Sequence, residues 1–321
     1  MVERRQAAKR PGVHGWIILD KPLGLGSPQA VSAVKRALRT GGYPKLKVGH
    51  GGTLDPLASG VLPVAIGEAT KLAGRLLDSD KVYEFTIRFG EETDTLDAEG
   101  KVVRTSDVRP TSAEVHAALP RFTGPIEQIP PRFSALKVDG ERAYDLARTG
   151  AEVELSARRV TVHDLRVFAS SHEPIELARN RDDAKAGLES IALSAHVSKG
   201  TYIRSLARDI ARALGTVGHV TYLRRIKAGP FTLDHAISLD KLDDLAKGHA
   251  LEQVCLPLRA GLDDIPALSL TPDQAGLLRR GQQLVGIAAP DGQCFAMLGD
   301  VPVALAEVQA GTLRVVRGFN L

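Results

Sequence analysis

The sequence predicts an α+β chain built on a mixed sheet, and three stretches carry that prediction. Lys81 to Gly90 alternates, with Tyr83, Phe85, Ile87 and Phe89 on one side and Glu84, Thr86 and Arg88 on the other. Ile191, Leu193, Ala195 and Val197 alternate in the same way. After Gly200 the period lengthens: Ile203, Leu206, Ala207, Ile210, Ala211 and Leu214 share a helical face, and Gly215 stops it.

The remaining elements follow in chain order. Ser27 and Pro28 read as an N-cap and first helical position, with Val31, Val34 and Leu38 forming the apolar face before Gly41 and Gly42. Gly24-Leu25-Gly26, which precedes that helix, could cradle a phosphate at the helix start, but it lacks the full pattern of a nucleotide-binding loop and reads as a plain turn. Thr93 to Gly100 is rich in carboxylates but lacks the ligand spacing of an EF-hand and reads as a structural turn. Strands are expected at 160–168, 174–178 and Val220 to Leu223, with a polar insertion from Arg179 to Glu189. Beyond residue 262 a short helix, Pro272 to Arg280, precedes brief strands at 281–284, 294–298, 303–308 and 313–316, with Gln309-Ala310-Gly311 as a hairpin turn.

Composition narrows the function classes. No stretch has the length of a membrane span, and the basic start has no apolar run behind it, so a cytoplasmic protein is expected. Cys255 and Cys294 lack the spacing of a disulfide framework or a zinc site; no metal is expected, and Cys294 reads as a small buried side chain in a strand. The net charge of +4 is unevenly spread: residues 1–50 hold ten Lys or Arg against Glu3 and Asp20, which is +8 and leaves minus four for the rest. A second basic zone, His196 to Lys227, sets Lys199, Arg204, Arg208, Arg212, Arg224, Arg225 and Lys227 against Asp209 alone. Two such zones fit an RNA surface.

The segment from His50 to Pro63, HGGTLDPLASGVLP, places a single carboxylate, Asp55, in a loop punctuated by Gly51, Gly52, Gly60, Pro56 and Pro63, directly before an apolar strand. Such a carboxylate is held on a defined turn, as a nucleophile or base requires, although an Asp-Pro in a Gly-rich stretch is also an ordinary turn.

GHGGTLDPLASGVLPVAIGEATK, beginning at Gly49, resembles the signature of the TruB family of tRNA pseudouridine synthases. LDKPLGLGS (from Leu19), LLDSDKVY (Leu76), TDTLDAEG (Thr93), IEQIPPRFSALKVDG (Ile126), SKGTYIRSLARDI (Ser198) and GHVTYLRR (Gly218) extend the resemblance in order. It implies a pseudouridine synthase fold, a largely antiparallel mixed sheet flanked by helices. The implied layout is a basic arm at 1–13, a catalytic domain at 14–261 and a small β-rich, PUA-like RNA-binding domain at 262–321.

By the same resemblance Asp55 is the catalytic carboxylate, Arg204 its electrostatic partner and Tyr83 the aromatic that stacks on the flipped base and assists proton removal. His50 takes the place vacated by the base, Tyr202 and Leu223 contact substrate, and Lys21 supports the site. The implied activity is isomerisation of the uridine at position 55 in the tRNA T loop. It breaks a glycosidic bond, turns the ring and rejoins C5 to the ribose, so no cofactor is expected. Asp55 could attack C1′, add to C6 or promote a glycal elimination. The expected partner is the T stem-loop of tRNA, with no guide RNA, obligatory protein partner or membrane, and the chain is expected to be a monomer. Two rivals are a tRNA-folding factor, whose activity could coexist with catalysis, and a dyskerin-like guide-dependent synthase.

Overall fold

The computed structural model describes residues 12–134, 136–138, 141–142, 155–168, 187–262 and 265–321. Residues 1–11 of the arm expected at 1–13, the strand expected at 174–178 and residues 179–186 of the insertion expected at 179–189 lie outside the described residues.

The first strands are β1 (Gly15–Lys21), β2 (Val48–His50), β3 (Ala58–Ile66), β4 (Lys81–Phe89), β5 (Glu91–Thr93), β6 (Val102–Thr105) and β7 (Gly124–Gln128). After two short strands, β8 (Lys137–Val138) and β9 (Glu141–Arg142), come β10 (Arg158–Val167), β11 (Ser190–Val197), β12 (Gly218–Ala228), β13 (Phe231–Thr232) and β14 (Ala236–Ile237). A ten-stranded sheet runs β14-β1-β3-β12-β4-β11-β10-β7, with β13 on β12 and β2 on β3. It is antiparallel except where β1 meets β14 and β12 meets β3, so the predicted mixed sheet is present. The alternations at 81–90 and 191–197 become β4 and β11, paired with Phe85 opposite Leu193 and Ile87 opposite Ile191.

Apolar residues on both faces of β1 require covers on both sides. Ile17 and Leu19 belong to the core formed with α1 (Ser27–Thr40), α4 (Ile203–Ala213) and α5 (Leu239–Lys247). Trp16 and Ile18 face the other way, against Leu72 and Leu76 at α2 (Ala73–Asp78), and Phe231. A further helix, α3 (Ser112–Ala118), starts with a capping box between Thr111 and Glu114.

The C-terminal segment forms a second, five-stranded sheet of order β15-β17-β18-β19-β16, comprising β15 (Ala267–Ser269), β16 (Leu284–Val285), β17 (Gly292–Leu298), β18 (Val301–Gln309) and β19 (Thr312–Gly318). Together with α6 (Pro272–Arg279) it encloses its own core around Leu278, Val303 and Leu313. Phe295, Met297, Leu305 and Phe319 instead join the cluster under Trp16, docking this sheet on the first. Cys294 is buried in β17, as expected, and β15 is an element that the sequence pattern did not announce.

One expected cap is absent. The helix α1 starts from Gly26, whose carbonyl takes the first helical hydrogen bond, and no side chain caps it. The Ser27 hydroxyl instead donates to the Leu54 carbonyl at 2.9 Å and accepts from the Leu54 amide at 2.8 Å. A residue that reads as a helix signal thus anchors the loop next to Asp55.

Gly60 sets the tightest backbone approach at this loop. Its φ is +99°, and an added Cβ would lie 2.2 Å from the carbonyl oxygen of Arg225 on the neighbouring strand. Gly60→Ala is expected to destabilise the fold by roughly 3 kcal/mol or more, combining positive-φ strain with a backbone clash. Denaturant unfolding checks this; unchanged stability would contradict the close approach.

Candidate active site

Asp55 stands on the loop between β2 and β3, and three groups of bonds hold that loop. Ser27 ties Leu54, as above. Lys21, at the end of β1, is fully buried and donates from Nζ to the carbonyls of Pro22 (3.0 Å), Leu25 (2.5 Å) and Pro56 (3.3 Å), while the Gly24 amide also reaches Pro56. The Gly24 turn is therefore wrapped on the loop. Arg225 on β12, 1% exposed, donates to the carbonyls of Val61 (2.8 Å), Thr53 (3.3 Å) and Gly52 (3.2 Å). Gly52 has a φ of +135°, which helps present its carbonyl there.

Arg204 lies in the first turn of α4 and turns inward. Its Nη2 is 2.7 Å from Asp55 Oδ2, and its Nη1 is 3.2 Å from Asp97 Oδ2. The same guanidinium donates to the carbonyls of Thr95 at 2.8 Å and Phe133 at 2.9 Å. The side chains of Arg204 and Asp97 are each 7% exposed, whereas that of Asp55 is 40% exposed. One carboxylate thus fixes the guanidinium from within, and the other faces an opening.

That opening is a cavity of about 300 Å³ at the N-terminal end of α4, where Asp55, Tyr83, Tyr202, Arg204 and Leu223 converge. Tyr202 is clamped through its backbone by Gln128, whose Oε1 accepts from the Tyr202 amide at 2.7 Å and whose Nε2 donates to the Tyr202 carbonyl at 3.1 Å. Arg158 lies over the Tyr202 ring, 5.5 Å from its centre, and burial pushes the phenol pKa upward.

His50 and Lys21 do not line the cavity. His50 ends β2, where its Nδ1 accepts from the Gly52 amide at 3.3 Å, and burial lowers its pKa, favouring a neutral ring. Lys21 is the buried prop beneath Pro56. Burial lowers its pKa to about 8, the charge of Asp55 opposes that shift, and Arg225 adds to it.

The structure adds residues that the sequence reading passed over. Asp97 sits in the stretch read as a structural turn, where Leu96 takes a positive φ of 62° and the Val220 amide donates to the Leu96 carbonyl. Asp97 Oδ1 is held by the Thr95 hydroxyl and the Glu99 amide. Its signal was present in the block TDTLDAEG, as that of Arg225 was in GHVTYLRR. Strand alternation puts Arg225 on the same side as buried Leu223, with Arg224 on the other, paired to Asp20 at 2.7 Å.

The second basic zone is correspondingly less available than its charge count suggests. Arg204 and Arg225 are buried, Arg208 pairs with Asp209, Arg212 with Glu92 and Lys199 with Asp78. Cations exposed along α1 and just after it, Lys35, Arg36, Arg39, Lys45 and Lys47, present a more open basic surface.

Comparison with known proteins follows this geometry. The family described as TruB family pseudouridylate synthase (N terminal domain) matches residues 35–203, and the tRNA pseudouridylate synthase B C-terminal domain matches 204–263. The tRNA pseudouridine synthase B of Novosphingobium aromaticivorans is 62% identical over 309 residues, covering 96% of this chain and 98% of that one. The protein of the same name from Zymomonas mobilis is 58% identical over 308 residues, covering 96% of each. Among solved structures, a chain of an H/ACA RNP bound to a substrate RNA containing 2′-deoxyuridine has a TM-score of 0.68 at 22% identity, covering 100% of this chain and 94% of that one. At that identity the likeness establishes the shared fold.

The coupling of Lys21 to Asp55 has a measurable sign. Asp55→Asn removes the negative charge that raises the Lys21 pKa, so Lys21 should titrate below its present value of about 8. Isotope-edited NMR of the lysine side chain follows that titration; an unchanged or higher value would contradict the coupling.

Proposed function

The chain belongs to the TruB family of pseudouridine synthases, and from that premise we propose that it isomerises the uridine at position 55 in the T loop of tRNA, with Asp55 as the essential carboxylate. The observation that carries this reading is the pairing of half-exposed Asp55 with buried Arg204 at 2.7 Å, at the mouth of a cavity large enough for a nucleoside. Arg204 orients the carboxylate toward the cavity, and Asp97 holds Arg204 from behind.

A target uridine must leave the loop stack before its reacting carbons are reachable. In this proposal the flipped base stacks on Tyr83, Tyr202 and Leu223 contact the nucleotide, and His50, outside the cavity on the adjoining strand, fills the vacated stack. Asp55 drives cleavage of the C1′–N1 bond, whether by attack on C1′, addition to C6 or elimination through a glycal. The ring turns, C5 bonds to C1′, N1 gains a proton and the C5 proton leaves. In this reading Tyr83, which lines the cavity, assists that last proton transfer.

Phosphates of the T arm meet the exposed Lys35, Arg36, Arg39, Lys45 and Lys47 rather than the internally paired arginines of the second basic zone. Residues 14–261 carry catalysis and 262–321 act as a PUA-like extension of the RNA contact, with the basic arm at 1–13 preceding them. The protein works as a monomer in the cytoplasm, without cofactor or guide RNA.

The test uses a T-arm hairpin tritiated at uridine C5. The purified chain is expected to release tritium and form pseudouridine at the T-loop site, and a folded Asp55→Asn variant is expected to bind the hairpin without releasing it. Arg204→Met should lower turnover by at least about a hundredfold, because the carboxylate loses its orienting cation. Tight binding by the wild-type chain without conversion would sink the stand-alone reading and favour RNA folding or guide dependence.

A further inference from the structure

On the face of the sheet opposite the cavity, three potential metal ligands from separate parts of the chain converge. His163 Nε2 lies 3.2 Å from Asp80 Oδ2, and His196 Nε2 lies 3.7 Å from the same oxygen. The two imidazole centres are 4.8 Å apart at an interplanar angle of 47°, and one ligand atom from each of the three residues falls within 4.8 Å of the others. The side chains of His163, His196 and Asp80 are 37%, 39% and 48% exposed, leaving room for water at further coordination positions.

The backbone makes this convergence. In the pairing of β10 with β11, Val162 faces Val197 and Asp164 faces His196, so His163 is the extra residue of a β-bulge. Simple alternation would carry one outward side chain between buried Val162 and its next inward neighbour; the bulge turns both His163 and Asp164 outward and brings His163 beside His196. Asp80 enters from the start of β4, the strand on the other side of β11, and the Gly229 amide holds its carbonyl at 3.0 Å. The turn before it is fixed by Lys81 Nζ, which donates to the carbonyls of Leu76 and Leu77 at 2.8 Å and to that of Ser79. Lys81 and Val197 line the cavity, so alternation directs their neighbours Asp80 and His196 to the reverse side.

We infer that Asp80, His163 and His196 form a binding site for a divalent first-row transition metal ion. Two imidazoles and one carboxylate suit zinc, nickel, cobalt or copper rather than magnesium or calcium, which take oxygen ligands. In a tetrahedral zinc site with bonds of about 2.0–2.1 Å, ligand atoms stand roughly 3.3 Å apart, so the two shorter separations are near the required spacing. Side-chain rotation at the exposed histidines closes the widest gap. A single carboxylate oxygen shared by two imidazole nitrogens is the arrangement a bridging cation completes. The bound ion clips β10, β11 and the start of β4 together behind the cavity. The three ligands are 83 and 33 residues apart in sequence, which is why no local spacing announces them.

The probe is zinc chloride, titrated calorimetrically into the chelator-treated full-length chain. One equivalent is expected to bind with a dissociation constant in the micromolar range or tighter, and zinc should raise the melting temperature. His163→Gln and His196→Gln should each weaken that binding at least about tenfold and abolish the melting shift, with metal-free melting as the folding control. In the wild-type chain alone, zinc should slow diethylpyrocarbonate modification at His163 and His196 but not at exposed His116, read by mass spectrometry. Absence of binding below about 100 μM zinc, wild-type affinity in either variant, or equal protection of His116 would overturn the assignment.

Discussion

The candidate site depends on the burial of one cation. Removing the Arg204 guanidinium from water is costly unless charges and hydrogen bonds replace its hydration, and removing one partner from such a pair leaves the other exposed to the full penalty. The chain supplies Asp97 and Asp55 as carboxylates and Thr95 and Phe133 as carbonyls. These come from two loops and the β2–β3 connection, so placing one guanidinium places three segments. A lysine could not span this set, because the planar fork of arginine reaches several acceptors in fixed directions at once. The unequal burial of the two carboxylates then separates their duties: Asp97 is enclosed, and Asp55 is half open to the cavity.

The same principle recurs at shorter range. Lys21 and Arg225 are both enclosed and both spend their donors on main-chain carbonyls of the segment between Gly52 and Val61 or of the turn wrapped against it. A loop buried without regular pairing would leave those carbonyls unsatisfied, at a cost of about 1–3 kcal/mol each. Buried cations answer that need more strongly than neutral donors, and they gather positive charge around a carboxylate-bearing turn. The lowered pKa of Lys21 records the strain of this solution: burial works against the charged amine, and Asp55 partly compensates.

What could be read from the sequence and what could not divide along physical lines. The strands β4 and β11 and the helix α4 were legible because each buries one face, and burial imposes a period on composition. The alignment of Asp55 with Arg204 came from family resemblance, since 149 positions separate them and periodicity carries no information at that distance. Ser27 was misread because a hydroxyl before a helix has two uses, capping its own helix or bonding across space, and only the fold chooses between them. Asp97 and Arg225 were overlooked because charged residues in turns and strands are usually solvated. The bulge at His163 left only a local break in alternation, His163 and Asp164 together between Val162 and Leu165, and the end of a strand would give the same pattern.

Charge counting illustrates the same limit from the other side. The zone from His196 to Lys227 is strongly basic in sequence, yet much of that charge balances acids or carbonyls drawn from elsewhere in the chain. Sequence clustering cannot reveal such balancing, because Asp20, Glu92 and Asp97 lie far from the arginines they meet. A phosphate surface needs cations without internal partners of comparable strength, since an arginine already paired in the interior gains little from a phosphate and loses the packing it supports. The proposed role of the α1 surface follows from that competition: its lysines and arginines stand on the solvated side of a helix whose apolar side is spent on the core, which leaves their charge to act outward.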